Sequence, residues 1–514
     1  MTSAPPRPPR AGNHEQRHAL VNCMVRGAFT ESGACHCLQI QDFDAIEGDA
    51  RLHALARVTA SDLQTLLLRL FLLGGAVDVP TFAAVCGADE ASAFVETGLL
   101  AIFEQAGDGA PLVYSPVRLV PLSDGAGRTL LIASDRGDHF DGAPFVPFAD
   151  IVFSGHNPLT RQFLRLLPQT PTGSALDLCS GTGIGALVAE SAARDVVAVD
   201  ITERCTHFAV FNCWLNASER VDVRCGSLYE PVRGARFDRI LAHPPYVPAL
   251  SERLIYRDGG ESGDRLLRQI IEGLPEFLEV GGTCHVLSIG MDTAEGPYES
   301  RVRRWLGEAA PEFDIIFAFG SAMPAEEFAR SLVTRSAASE PGDFEKWLEL
   351  FARLEVREVV YGALVARRFD RASGEAQTRR VVAGPRTGPA SFEGLLRWFD
   401  WLRRPDLDAR VMASRPRLAA GAELDVHHCV VDGRFVAQSF GLSNDEAPFR
   451  VLLKTDSWVA TILDALNGQR AVSDLFEGAT QVGTLPSTMT RREFIDAICL
   501  LIERGFLVLD PASL

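Results

Sequence analysis

Thirteen consecutive residues limit what this chain can fold into. Residues 175–187 read ALDLCSGTGIGAL: a short apolar run, a turn with three glycines, then the start of a helix. Gly181, Gly183 and Gly185 remove side chains where backbone must approach a ligand closely, and a helix start offers free N–H donors. Twenty-three residues after Asp177, the next apolar run, VVAVD, closes on Asp200. An acid there can bind both hydroxyls of an adenosine ribose. This is the logic of a dinucleotide site, although the chain has no G-x-G-x-x-G.

The same alternation runs from 150 to 370. Ala175–Leu178, Val196–Val199, Val221–Arg224, Arg239–Leu241, Cys284–Ile289, Asp314–Phe319 and Val359–Ala366 are short apolar or β-branched runs. Helical stretches at Ile184–Ala193, His207–Leu215, Arg265–Phe277 and Phe344–Leu354 separate most of them. That rhythm predicts βαβ units on a mostly parallel, Rossmann-like sheet of seven strands, an α/β fold whose last two strands can pair antiparallel.

A second motif belongs to this sheet. FDRILAHPPY puts His243-Pro244-Pro245-Tyr246 at the carboxyl end of the fourth strand, about sixty-five residues after the glycine turn. Open α/β sheets bind ligands at that end. Two prolines fix the backbone and remove two donors, so nearby carbonyls stay free to accept. A rigid acceptor beside an aromatic ring suits a planar amide or base, with Tyr246 on its π-face. Catalysis there would be mainly positioning.

Strand-DxxxGxG-helix-strand-Asp resembles the class I S-adenosylmethionine-dependent methyltransferases. The resemblance implies S-adenosyl-L-methionine as cofactor, its methionine end on the glycine turn and its ribose on the acid. Carried onto this chain, the cofactor residues are Asp177, Cys179, Ser180, Gly181, Thr182, Gly183, Asp200, Ile201, Ser227, Leu228 and His243; the catalytic ones are His243, Pro244, Pro245 and Tyr246. Cys179 stands where the family often has its first loop glycine. Ser227 replaces a frequent acid after the third strand, so adenine would meet an uncharged acceptor. The tetrapeptide resembles the (Asn/Asp)-Pro-Pro-Tyr motif of amino-methylating members: HemK/PrmC-like protein glutamine N5-methyltransferases, RsmC-like ribosomal RNA methyltransferases and DNA adenine methyltransferases. Tyr256–Asp264 (YRDGGESGD), Leu278–Gly282 and FNCWLN at 211–216 resemble the HemK-like and "methyltransferase small domain" groups. His243 departs from the motif. A neutral imidazole offers one acceptor and one donor, and it leaves retained N-methylation, another nucleophile and lost activity open.

Outside the sheet, residues 1–47 read as a partly disordered tail with one helix, and 48–135 as a winged-helix-like domain. In it Ser61-x-x-Gln64 caps a helix over Leu63–Leu73, and a hairpin turns at Asp124-Gly125. The methyltransferase domain spans 136–370. Residues 371–420 gain Gly, Pro and Arg and read as a linker. The segment 421–514 reads as three strands then three helices, winged-helix-like or similar to the PqqD-like peptide-recognition fold. His156–Thr160 is either a helix cap or a cover for the cofactor, and Arg301–Arg304 reads as a solvated helix face.

Net charge is −17, which argues against a sequence-blind nucleic-acid binder and favours a protein or peptide partner. The most apolar run, Leu63–Leu73, is too short for a bilayer and holds Arg69. Eleven scattered cysteines suggest reduced thiols in a cytoplasm. Cys35-His36-Cys37 lacks a second ligand pair, and only one of His427 and His428 can face inward on a strand, so no metal site is expected. The expected function is methyl transfer to a nitrogen of a protein, peptide or other macromolecule. The alternatives are a small-molecule methyltransferase and a cofactor-binding regulator without turnover.

Overall fold

The computed structural model describes residues 5–509 apart from 44–45, 47, 106–108, 126, 141–144, 146, 251–252 and 336–339. The chain divides into two compact units, Met1–Gly290 with Ala338–Leu354, and Met291–Ala337 with Glu355–Leu514.

Residues 1–47, expected as a tail, hold two helices, α1 His14–Arg26 and α2 Glu31–Leu38. Asn13 and Gln16 close a capping box on α1, and Leu20, Cys23 and Met24 are buried along one stripe of it. That three-to-four spacing is an ordinary amphipathic signal; the Pro- and Arg-rich opening masked it. After α3 Gly48–Arg57, α4 Leu63–Leu67 runs into a π-turn at Leu68–Leu72. Its cap is Asp62, whose carboxylate accepts the Thr65 N–H, and not the expected Ser61. β1 Ala76–Asp78, α5 Val79–Cys86, α6 Ala88–Glu96, β2 Ala101–Phe103 and β3 Leu112–Tyr114 follow, with the strands in the antiparallel order β1-β3-β2. β4 Val117–Ser123 and β5 Thr129–Asp135 make a separate hairpin around Asp124-Gly125.

The larger sheet of this unit grows from α7 Pro158–Arg165, β6 Thr172–Leu178, α8 Ile184–Ala189, β7 Ala193–Asp200, α9 Glu203–Leu215, β8 Val221–Cys225, β9 Phe237–Ala242, α10 Arg265–Phe277 and β10 Leu278–Thr293. The strands run parallel in the order β10-β9-β6-β7-β8. In β6 and β9 the carboxyl-terminal residues are buried on both faces, as a covered parallel sheet requires. Chain order turns back at β6, the first strand, which has β7 on one side and β9 on the other. A crevice opens at such a switch point, beyond the carboxyl ends.

The second unit contains α11 Tyr298–Trp305, β11 Phe313–Pro324 and α12 Ala325–Arg335; α13 Asp343–Arg353 counts with the first unit. β12 Val356–Arg368 pairs antiparallel with β11, while β13 Thr378–Val382 pairs parallel with it. The expectation of seven strands missed β13, because it lies in the segment read as a linker. That segment also carries α14 Pro389–Leu402 and α15 Leu407–Ala413. Pro389 sits in the first turn of α14, and Phe392, Leu395, Leu396 and Phe399 form its buried face. Nor is Arg301–Arg304 wholly solvated: Arg303 is part-buried and donates to the carbonyls of Phe313 at 3.0 Å and Gln377 at 2.7 Å.

After β14 Arg417–Leu418 come β15 Glu423–Val431, β16 Arg434–Asn444 and β17 Val451–Thr455, antiparallel in that order. Asp432 and Gly433 join the first two with φ of 50° and 75°, a type I′ pattern. His427 and His428 are both exposed on β15. α16 Ser457–Ile462, α17 Val472–Val482, α18 Arg491–Glu503 and β18 Leu507–Val508 end the chain, with Thr490 and Glu493 boxing the last helix.

Candidate active site

The carboxyl ends of β6, β7 and β9 open on one cavity of about 800 Å³. Asp177, Cys179, Ser180, Gly181, Thr182, Asp200, Ile201, Ser227, Leu228 and the whole tetrapeptide His243–Tyr246 line it. Motifs far apart in sequence therefore share one wall. Gly183 is the exception. It caps α8 with φ +76°, and a Cβ there would sit 3.0 Å from the Ala209 Cβ, so its role is to let α8 approach α9.

The glycine turn is tied to both acids. Asp177 Oδ2 accepts the Ala186 N–H at 2.8 Å, and Gly185 makes room for that contact, since its own Cβ would lie 2.7 Å from the same oxygen. Burial pushes the Asp177 carboxyl up to about 7; the Ala186 hydrogen bond opposes this and the charge of Asp200 adds to it. Asp200 accepts the Gly181 N–H at 2.9 Å on one oxygen and the Thr202 N–H at 3.1 Å on the other. Nothing lies within 4 Å of where a Gly181 Cβ would stand, so the turn faces open cavity. Cys179 adopts φ +56°, in the left-handed region that favours glycine.

The imidazole of His243 stacks against Phe163, centroids 5.2 Å apart, and tilts toward Tyr246 at 5.5 Å. Its Nε2 is buried and has no hydrogen-bond partner among the described residues. Burial lowers its pKa to about 4, so the ring is neutral at ordinary pH. Behind the tetrapeptide runs a strap built on YRDGGESGD, which the resemblance marks without assigning it a site residue. Val247 N–H donates to the Arg257 carbonyl and Gly259 N–H to the Val247 carbonyl, both at 2.9 Å. A Cβ on Gly263 would meet the Tyr246 carbonyl at 2.4 Å, and one on Gly259 the Pro245 carbonyl at 2.8 Å. Gly259 and Gly263 thus let the strap lie against the tetrapeptide. Asp258 holds its near end, accepting the Arg253 and Leu254 N–H groups at 2.7 and 2.9 Å.

Ile151, Phe153, Phe163, Thr202 and Arg253–Asp258 also line the cavity. The strap glycines could have revealed the last group; the aromatic residues carry no local signal. Asn157 is the helix cap expected of its segment, accepting the Leu159 N–H at 2.9 Å, and it lines the cavity beside Leu159 and Thr160.

A parallel sheet with a glycine turn at its switch point, an acid closing the next strand and an open cavity over both fits S-adenosylmethionine. These features define a mainly parallel α/β sheet with a ligand cavity at its switch point. Residues 152–300 match the family described as the methyltransferase small domain. Among curated relatives, the ribosomal protein uL3 glutamine methyltransferase of Bordetella pertussis is 29% identical, over 34% of this chain and 61% of the relative. The release factor glutamine methyltransferase of Geobacter sulfurreducens is 28% identical, over 30% of this chain and 59% of the relative. The chain thus spans about three fifths of the length of these relatives. Among solved structures, a ribosomal protein L11 methylase from Lactobacillus delbrueckii overlaps 39% of this chain and 72% of its own, at 18% identity and a TM-score of 0.23. An overlap that slight bears on nothing further.

Proposed function

We propose that the protein is an S-adenosylmethionine-dependent methyltransferase acting on an amide nitrogen of a protein. The observation that carries this is the shared cavity: the glycine turn with Asp200 and the tetrapeptide at 243–246 face the same space. The cofactor, when bound, supplies a methyl group on a sulfonium. The chain's own residues do the rest. Asp200 and the turn, with Ser180, Thr182, Ile201, Ser227 and Leu228, hold the nucleoside and methionine ends. The prolines leave carbonyls free to accept from the acceptor's N–H, and Tyr246 packs on its planar face. Neutral His243 offers Nε2 as one more hydrogen-bonding atom. With a pKa near 4 it is a weak base, which favours holding the acceptor over removing its proton before transfer.

The names of the relatives and the acidic charge support a protein acceptor over nucleic acid. The flanking segments, read as winged-helix-like before the sheet and winged-helix- or PqqD-like after it, would select that acceptor. Eleven free cysteines are in keeping with a cytoplasmic setting, and among the described residues no helix is long and apolar enough to cross a membrane. The test is incubation with radiolabelled cofactor and size-fractionated extract, with protease- and nuclease-treated controls. Label in a protease-sensitive, alkali-stable fraction is expected. Label confined to low-mass material would move the acceptor to a small molecule, and cofactor binding without any transfer would make the protein a regulator.

A further inference from the structure

We propose that Asp135 and Arg204 are positioning residues for the cofactor, and that the N-terminal hairpin thereby becomes a working part of the site. This rests on the functional reading above. Asp135 is the last residue of β5, and Arg204 is the second residue of α9. Their side chains form a two-pronged pair, with Nε of Arg204 on Oδ2 at 2.7 Å and Nη2 on Oδ1. Only 1% of the acid and 8% of the base are exposed, so solvent does not compete.

What the pair touches gives it a role beyond stability. Arg204 begins the helix directly after the Asp200–Thr202 turn, and Thr202 caps that helix by accepting the Cys205 N–H at 3.0 Å. Fixing the guanidinium fixes the first turn of α9, and with it the turn that aims Asp200. On the other side, Asp135 Oδ2 also accepts the Val152 N–H at 2.8 Å, and the Asp135 N–H donates to the Val152 carbonyl at 3.1 Å. Val152 stands between Ile151 and Phe153, both of which line the cavity. One carboxylate therefore spans the helix under the ribose acid and the rim opposite it. The guanidinium also lies 4.8 Å over the ring of Phe148, just before that rim.

A second tie from the same hairpin supports the reading. Asn212 on α9 is fully buried; its Oδ1 accepts the Ala133 N–H at 2.8 Å, and its Nδ2 donates to the carbonyls of Ala133 at 3.0 Å and Thr182 at 2.9 Å. β5 thus reaches the glycine turn and the Asp200 turn by separate bonds. Neither Asp135 nor Arg204 lines the cavity, so neither can act by touching the ligand.

The test compares wild type with Arg204→Met, Arg204→Lys and Asp135→Asn in the full chain. Calorimetry with S-adenosylhomocysteine gives affinity and the number of competent sites, and steady-state kinetics give KM for the cofactor against kcat. Arg204→Met should weaken affinity by roughly tenfold and raise the cofactor KM to match, with kcat per competent site little changed. Arg204→Lys, which keeps the charge and one bond, should recover part of the loss. A purely structural pair would instead lower the number of competent sites while the remaining sites kept wild-type affinity, and that result would overturn the proposal. If Arg204→Met does not fold, Asp135→Asn, which retains the shape and one acceptor, serves in its place with the same two outcomes. Wild type that binds no cofactor would overturn the functional reading itself, a result distinct from either.

Discussion

At the scale of single residues, three side chains of the site each predict something measurable. His243 is already neutral far above pH 4, so kcat should show no ionisation near the ordinary histidine value of 6.5 that His243→Asn removes. His243→Ala should leave cofactor affinity within about twofold and lower kcat by roughly 10²-fold, the typical loss of one positioned hydrogen-bonding group. Unchanged turnover would remove His243 from the mechanism. Asp177, held up to about 7 by burial, is partly protonated in the free protein at neutral pH. An aspartate's ordinary value is 3.8, so between 3.8 and about 7 the folded protein keeps a proton that the unfolded chain has lost. For this group, stability falls as pH rises through that window. A cationic ligand reverses the preference, and S-adenosylmethionine brings a sulfonium and an ammonium. Binding should therefore tighten from pH 6 to 8 and release protons, as calorimetry in buffers of different ionisation enthalpy would record. Cys179, at φ +56°, carries a strain that glycine lacks. Cys179→Gly should gain about 0.5–1 kcal/mol in urea unfolding, less what the freer unfolded chain takes back.

At the scale of elements, two glycines of one turn should behave differently. Gly181→Ala meets no atom within 4 Å, and its φ of +52° costs about 1 kcal/mol, so the protein should fold with a slightly lower Tm and a poorer cofactor site. Gly185→Ala pushes a Cβ to 2.7 Å from a buried carboxylate oxygen and 2.9 Å from its twin. Losing the Ala186 bond to that acid should cost about 2–3 kcal/mol, read as a Tm drop several degrees larger than that of Gly181→Ala. The turn, its flanking strands and the tetrapeptide were legible because ligand contact and sheet burial leave short, strict patterns in the chain. The parts that were not legible have physical reasons. α14 has a clear apolar face at Phe392, Leu395, Leu396 and Phe399, but the Gly, Pro and Arg residues just before it set the composition of the window. β13 is five residues long and takes its place by long-range pairing, chiefly with β11. Phe153 and Phe163 enter the site through long-range packing, which no local pattern encodes.

For the whole molecule, the division into two units has a thermodynamic consequence. Every residue lining the cavity falls between Ala149 and Leu266, inside the first unit. A ligand stabilises only the cooperative body whose folded form it binds, by RT ln(1 + [L]/Kd), about 2.7 kcal/mol at a hundredfold excess over Kd. Differential scanning calorimetry should therefore resolve two transitions, and S-adenosylhomocysteine should move one of them. For a unit of roughly three hundred residues the shift at that excess should be about 4 °C, growing with the logarithm of ligand concentration. Arg204→Met should shrink that shift at fixed ligand, while Arg403→Met, which removes one of the two arginines (Arg403 and Arg367) paired with buried Asp314 in the second unit, should lower the other transition and leave the shift unchanged. A single transition displaced equally by ligand and by Arg403→Met would mean that the two units unfold as one body. The cofactor would then stabilise the second unit as well as the first.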